Sequence, residues 1–383
     1  MTAIVGRSSG PGARGIEDGE LALVHDYLLV LRGAERTFAA MADIWPGAPV
    51  YTLLYDREGT EDRFAGHPVT ASALQRTGVT QRGFRKLLPL FPLAVERLPV
   101  REPSVVVSSS SAFAHGVRLP ADAVHVCYCH TPFRYAWFER GRAMAEVSRP
   151  IRPALGGVLA AIRRWDLNAS RRVSRYVANS RHTQRRIKEI YGREATIVHP
   201  PVEVERFRSD EPDDYFLAVT ELVPHKRVEL AAEAASEAGQ QLKVVGGGPE
   251  LGRLREKYSK RVEFLGRVED EELVDLYARA RALVLPNVEE FGIAAVEAQA
   301  AGRPVIAAAA GGALETVQDG VTGQLVPPDD EPALKRTLRE FDPDEFDAGR
   351  IRRHADQFSA ESFRERFRQE VRHAIEESPA SAV

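Results

Sequence analysis

The stretch ALVLPNVEEFGIAAVEAQAAGRPVIAAAAGG, Ala282–Gly312, decides the fold. Ala282–Leu285 and Pro304–Ala308 are short apolar runs, each the length of a buried strand. Between them Ala294–Ala301 is alanine-rich and reads as a helix. A strand, a helix and a second buried strand in so short a span is the unit of an α/β sheet with helical crossovers.

Working outward, the same alternation recurs. Tyr215–Val219, Leu242–Val245 and Val262–Leu265 read as strands, and Val228–Ala238 and Glu269–Arg279 as helices. Upstream, Leu21–Val24, Val105–Ser108, His125–Tyr128 and Tyr176–Ala178 read as strands, with helical periodicity over Arg36–Ile44 and about 153–173. Ser180 is placed to cap a helix ending near Tyr191. His199-Pro200-Pro201 interrupts regular structure, and the alternation restarts after it. The expectation is α/β: two facing Rossmann-like doubly wound domains. Ligands of open α/β sheets bind beyond the carboxyl ends of the strands, so the default site is an interdomain cleft. The expected divisions are an extension over 1–18, a first domain over 19–198 and a second over 199–355. A last helical segment, 356–383, is expected to pack back on the first domain.

The 383 residues carry 52 basic and 55 acidic side chains, a net charge of -3, and 44% of them are hydrophobic. Such a length suits two cores, and so neutral a total argues against a nucleic-acid binder. The charge is uneven: residues 131–200 hold 15 basic and 5 acidic side chains, against 24 and 37 over 201–383. Arg163, Arg164, Arg171, Arg172 and Arg175, with the segment from Arg82 to Leu88, suggest a face that rests on an anionic membrane. The two cysteines, Cys127 and Cys129, stand too close on one strand for a disulfide, which fits a reducing cytoplasm. Residues 1–18 lack a continuous apolar segment, and no run approaches the ~18–20 residues of a spanning helix. Peripheral contact with the inner face of a membrane is the expected limit of lipid association.

The chemistry concentrates at expected strand ends. Glu289 and Glu297 flank Phe291-Gly292-Ile293, a turn into a helix whose free amides favour an anion. Glu297, acceptor-only when ionised, suits a ribose diol, and Glu289 suits hydroxyls of a sugar beyond a diphosphate. Lys226 and Arg227 follow another strand and suit the charge of a departing diphosphate. Gly311-Gly312 permits close backbone approach after the strand Pro304–Ala308. Other chemistries lack their motifs. Gly246-Gly247-Gly248 does not continue as G-x-G-x-x-G, and no Walker lysine or G-x-S-x-G elbow occurs. Alternation sets His130 on the opposite strand face from His125, Cys127 and Cys129, which argues against zinc. Asp342-Pro343-Asp344 reads as solvated surface, so no metal site is expected.

Together with ELVPHKR (221–227), FLGRVEDEELVDLYARA (264–280), VHDYLLVLRGAER (24–36), SSSSAFAHGV (108–117), HVCYCHTPFRYAW (125–137) and ANSRHTQRRI (178–187), these segments resemble the retaining family-4 glycosyltransferases of GT-B architecture. The resemblance is nearest to the bacterial polysaccharide-assembly subgroup, often mannosyltransferases. It implies metal-independent transfer of a hexose, without a cofactor, from a nucleotide diphosphate sugar (GDP-mannose or a UDP-sugar) to a glycan or lipid-linked glycan. It places Glu297 on the ribose and Glu289 on the transferred sugar. Lys226, Arg227 and the amides around Phe291, Gly292 and Ile293 fall on the diphosphate, with Gly33 approaching from the facing domain. His130 matches the active-site histidine. Two places depart from the pattern: Glu221 replaces an arginine that pairs with the diphosphate, and Arg32-Gly33-Ala34-Glu35 has one glycine where many relatives show two, with Ala34 still leaving Gly33 free to turn. A nucleotide-sugar epimerase, a glycoside phosphorylase or a catalytically silent binding partner are the competing expectations.

Overall fold

The computed structural model describes residues 21–78, 83–101, 103–145, 147–258 and 260–378. The expected N-terminal extension, Arg82 and the last five residues lie outside them. Two parallel sheets result. The first contains β1 (Leu21–His25), β2 (Val50–Thr52), β3 (Val69–Ala71), β4 (Val105–Ser110), β5 (Val124–Cys129), β6 (Arg175–Ala178) and β7 (Ala195–Ile197) in the order 3-2-1-4-5-6-7. The second contains β8 (Phe216–Val219), β9 (Leu242–Val245), β10 (Val262–Gly266), β11 (Leu283–Leu285), β12 (Val305–Ala308) and β13 (Gly323–Val326) in the order 10-9-8-11-12-13. Both are doubly wound, and the order reverses between β1 and β4 and between β8 and β11.

Strand alternation explains why the sheets need cover on both faces. In β1, Leu21 and Leu23 enter one core while Ala22 and Val24 enter another, and all four are fully buried. In β8, Leu217 faces one core and Phe216 and Ala218 the other. A strand apolar at every position is stable only with helices on either side.

The helix Ala360–Glu376 returns to the first sheet. Phe363, Phe367, Val371 and Ala374, one face at helical spacing, are buried in the core of Leu21 and Tyr128. Phe363, Phe367 and Val371 each contribute roughly 1.5–3 kcal/mol of burial. Arg175 fixes the docking through Glu370 (2.7 Å) and Glu377 (3.0 Å). The chain therefore crosses between the sheets twice. Those crossings touch, because the Val202 amide donates to the Phe358 carbonyl (2.9 Å).

The expected arginine face is partly dissolved by these contacts. Arg175 is tied to the last helix. Arg172 reaches Glu96 (3.0 Å) and the Gly116 carbonyl (2.8 Å). Arg163 lies over the Trp137 ring and donates to the Ala136 carbonyl (3.1 Å). Arg164 and Arg171 remain exposed on or beside the helix Arg152–Ser170.

Candidate functional site

The loops at the carboxyl ends of both sheets meet. After β11 the chain runs through Asn287 and Glu289 to Gly292, which caps the helix Ile293–Ala300 at φ 96°. That left-handed conformation is glycine's, and it turns the helix N-terminus into the cleft. The Gly311-Gly312 pair supports the loop from below. The Gly312 amide donates to the Glu289 carbonyl (2.8 Å), and a Cβ on Gly312 would lie 2.2 Å from the Phe291 Cα. Phe291 itself is buried and stacks on His199, so its side chain anchors the loop rather than facing a ligand.

Lys226 and Glu289 come together. The Lys226 ammonium donates to both carboxylate oxygens of Glu289 (2.6 and 2.8 Å), and Asn287 donates to the same carboxylate (2.9 Å). One turn into the helix, Glu297 accepts from the Tyr277 hydroxyl (2.7 Å). Burial pushes the Glu297 carboxyl above its usual range, against the lowering effects of Tyr277 and Arg36. Gly33 arrives from the first sheet as the first residue of the helix Gly33–Ala42, and a Cβ there would lie 3.1 Å from the Ile293 Cδ1. Two helix N-termini, each carrying unsatisfied amides and the positive end of a dipole, thus converge on one place.

Arg227 does not join the cluster. It has φ 54°, and this left-handed residue between the turn Pro224–Lys226 and the helix Val228–Ala238 directs the guanidinium to Asp329. Of the expected Lys226–Arg227 pair, Lys226 meets Glu289 here and Arg227 points to Asp329.

His130 follows β5. Its Nε2 is 2.8 Å from the Ser109 hydroxyl, and its carbonyl accepts from Asn179 (3.0 Å) and Thr183 (3.1 Å). Burial, helped by His25, pushes its pKa down to about 3, so the imidazole is neutral and acts by hydrogen bonding. The preceding loop hangs on Asp26, whose carboxylate accepts from the amides of Ser111 (2.6 Å), Phe113 (2.7 Å) and Ala114 (2.6 Å). Cys127 is buried, with its thiol pushed up to about 12 by burial, which suits neither metal nor nucleophilic chemistry. The Asp342 carboxylate accepts from the Asp344 amide (3.0 Å), which makes the D-x-D a local turn.

Several contacts join the two halves. Glu290 accepts from Arg134 (3.3 Å) and Arg186 (3.4 Å), and Glu315 accepts from the Arg181 amide (2.7 Å) and pairs with His199 (3.0 Å). Burial alone would raise Glu290, but Arg134, Arg186 and Lys226 outweigh it and hold the carboxyl below its usual range. Arg32 pairs with Glu221 (3.4 Å). Tyr277, Arg32, Glu290 and Asp26 are functional candidates that sequence reasoning did not select. Tyr277 and Asp26 lie in segments that carry the resemblance, but neither has a spacing signal of its own.

Burial also sets a pH dependence. His125, bonded to Ser108 (2.8 Å), is pushed down to about 3 by burial, then by His115 and Arg172. An unfolded histidine titrates near about 6.5. Below that, the unfolded chain binds protons that His125 and His130 refuse, so stability falls as the pH drops from about 6.5 towards 3. The expected slope is about 1.4 kcal/mol per pH unit for each histidine. Urea unfolding across this window should show it, and His125→Asn should reduce the slope by about one proton. An unchanged slope would contradict the buried neutral state of His125.

Two doubly wound parallel sheets whose strand ends meet across one cleft define the GT-B class. Residues 32–206 match the family model described as Glycosyltransferase Family 4, and residues 202–358 the one described as Glycosyl transferases group 1. The chain belongs to this glycosyltransferase family. It is similar to a GDP-mannose-dependent monoacylated alpha-(1-6)-phosphatidylinositol monomannoside mannosyltransferase of Corynebacterium glutamicum, with 33% identity over 195 residues, 42% of this chain and 51% of that protein. A D-inositol 3-phosphate glycosyltransferase of Streptomyces coelicolor is 49% identical over 81 residues, 21% and 18% of the two chains. The matches therefore span about half the length of the first relative and less of the second. Among solved structures, sucrose-phosphate synthase from Thermosynechococcus elongatus superposes with a TM-score of 0.69 at 18% identity, covering 93% of this chain and 98% of that one. HepE from Anabaena, in complex with UDP and glucose, gives 0.67 at 17% identity, covering 91% and 98%. At these identities what is shared is the fold.

Proposed function

We propose that the protein is a retaining, metal-independent glycosyltransferase that moves a hexose from a nucleotide diphosphate sugar to a hydroxyl of a glycan or lipid-linked glycan. The observation that carries this reading is the pairing of Lys226 with Glu289 at the N-terminus of the helix that holds Glu297. A ribose fits Glu297, which Tyr277 orients. A diphosphate fits the converging helix N-termini, whose dipoles and amides stabilise the charge that develops as the bond to the sugar breaks. Glu289, released from Lys226 by the phosphate, is free to accept from the sugar's hydroxyls. Neutral His130, its ring held by Ser109, is assigned to the same sugar by its match to the family's active-site histidine. The leaving phosphate oxygen takes the acceptor's proton, so the reaction needs no metal and no cofactor. GDP-mannose is the first donor to test, because the Corynebacterium relative bears that donor in its name. A UDP-sugar is the second, because HepE binds UDP.

Among the described residues, no helix is long and apolar enough to cross a membrane. The segment Phe84–Glu96 exposes Leu90 (47%) and Leu93 (50%), which supports peripheral contact on the acceptor side. Purified protein should release GDP from GDP-mannose, or UDP from UDP-glucose or UDP-N-acetylglucosamine, in EDTA. Glu297→Ala should weaken the accepted donor roughly 10–100-fold, as expected for lost charge-assisted bonds to a diol. Co-sedimentation should require vesicles with an anionic lipid. Measurable binding without turnover of any donor would instead favour a silent partner, and unchanged donor binding by Glu297→Ala would remove the ribose assignment.

A further inference from the structure

We infer that Arg32 is the second cation of the diphosphate site, delivered across the cleft from the first domain, and that Glu221 is the positioning residue that holds it there. This rests on the donor reading above.

The charge balance of the cleft leads to it. A nucleoside diphosphate brings two to three negative charges, and Lys226 alone already answers both oxygens of Glu289. Arg227 points away from the cluster, towards Asp329. Arg134 and Arg186 share Glu290, and drawing them off would strand a half-buried carboxylate without its cations. Arg32 has no such obligation. Among the described residues it pairs with Glu221, at a long 3.4 Å between side chains 50% and 48% exposed. Such a pair is worth little in water and yields readily to a stronger anion.

Position points the same way. Arg32 immediately precedes Gly33, whose close approach to Ile293 fixes where the two helix N-termini converge. Its backbone is held by Glu35, whose carboxylate accepts from the Arg32 amide (3.1 Å). A guanidinium has five donors in a planar fork, so Arg32 can keep Glu221 on one edge and take phosphate oxygens on the other. Glu221 is thereby neutralised rather than repelling the ligand. The sequence also departs from its family pattern at Glu221 and within Arg32-Gly33-Ala34-Glu35, which has one glycine where many relatives show two. The two places touch through Arg32 and Glu221. The cation absent from the second domain is present, on its contact partner in the first.

The test is a cycle of variants titrated calorimetrically with GDP and UDP, and with guanosine and uridine as probes lacking phosphate. Arg32→Gly should weaken the better diphosphate roughly 10–100-fold, the scale of lost charge-assisted bonds, and leave the nucleoside within about threefold. Arg32→Lys, which keeps the charge without the fork, should fall between. Adding Glu221→Arg to Arg32→Gly should bring diphosphate affinity back to within about threefold of the parent. Diphosphate affinity unmoved by Arg32→Gly, or a double variant no better than Arg32→Gly, overturns the inference while leaving the donor reading intact. A parent protein that binds neither GDP nor UDP overturns both.

Discussion

Lys226→Ala is expected to lower kcat/KM for the sugar-nucleotide donor by about 10²–10³-fold, the scale found when one preorganised partner of developing charge is removed. Two effects add. The variant loses the ammonium that would follow the diphosphate as it departs. It also leaves the Glu289 carboxylate, only 19% exposed, with Asn287 as its remaining donor, so that an uncompensated negative charge faces the phosphates. The converse variant separates the two. Glu289→Gln removes the carboxylate and frees Lys226, so donor affinity should hold or tighten while kcat falls, because the sugar loses its acceptor. Steady-state release of nucleoside diphosphate gives kcat and KM for both variants. A Lys226→Ala enzyme within threefold of the parent would mean that the diphosphate lies elsewhere.

Asp26→Ala should cost about 3–5 kcal/mol of folding stability, at the upper end of what a single substitution does. One carboxylate holds three amides, those of Ser111, Phe113 and Ala114, and two of these donors belong to buried residues. Alanine leaves all three without a partner, and each unsatisfied buried donor costs about 1–3 kcal/mol. Asp26→Asn should cost roughly half as much, because its amide oxygen still accepts while its NH₂ opposes one donor. Urea denaturation measures the difference, and a loss below about 1 kcal/mol would remove Asp26 from its anchoring role. The loop also follows Ser109, which meets the His130 ring, so surviving Asp26→Asn enzyme should show a lower kcat with little change in KM.

Much of this architecture is legible in the sequence because buried parallel strands leave an unbroken apolar run. Leu242–Val245 and the helix Val228–Ala238 coincide with their expected bounds, and Ser180 caps its helix by accepting from the Thr183 amide (3.2 Å). Val50–Thr52, Val69–Ala71 and Ala195–Ile197 carry no such signal, since three residues cannot display a period. In the site, Glu289, Gly292, Glu297 and Lys226 are legible because strand ends and a helix start dictate where they stand. The direction of Arg227 is not, because it depends on Asp329, about a hundred residues away, and on a left-handed backbone residue that is not glycine. The pairs of Arg32 with Glu221 and of Arg134 and Arg186 with Glu290 are equally hidden, being set by how the halves meet. The arginines around 163–175 misled for a related reason. Counted as charge they suggest an outer face, whereas the fold turns Arg172 and Arg175 onto carboxylates and Arg163 onto an indole ring.

The double crossing of the chain also sets how the molecule can move. One connection between two bodies is a tether, and two distant ones make a rigid frame. Here both connections pass the same point, where Val202 bridges to Ser359 and its amide meets the Phe358 carbonyl. Two links pinned together act as one pivot, about which the halves can rotate more readily than they can slide apart. The contacts across the mouth, from Gly33 to Ile293 and from Arg32 to Glu221, lie on the far side of that pinned crossing, so a rotation about it would change them together.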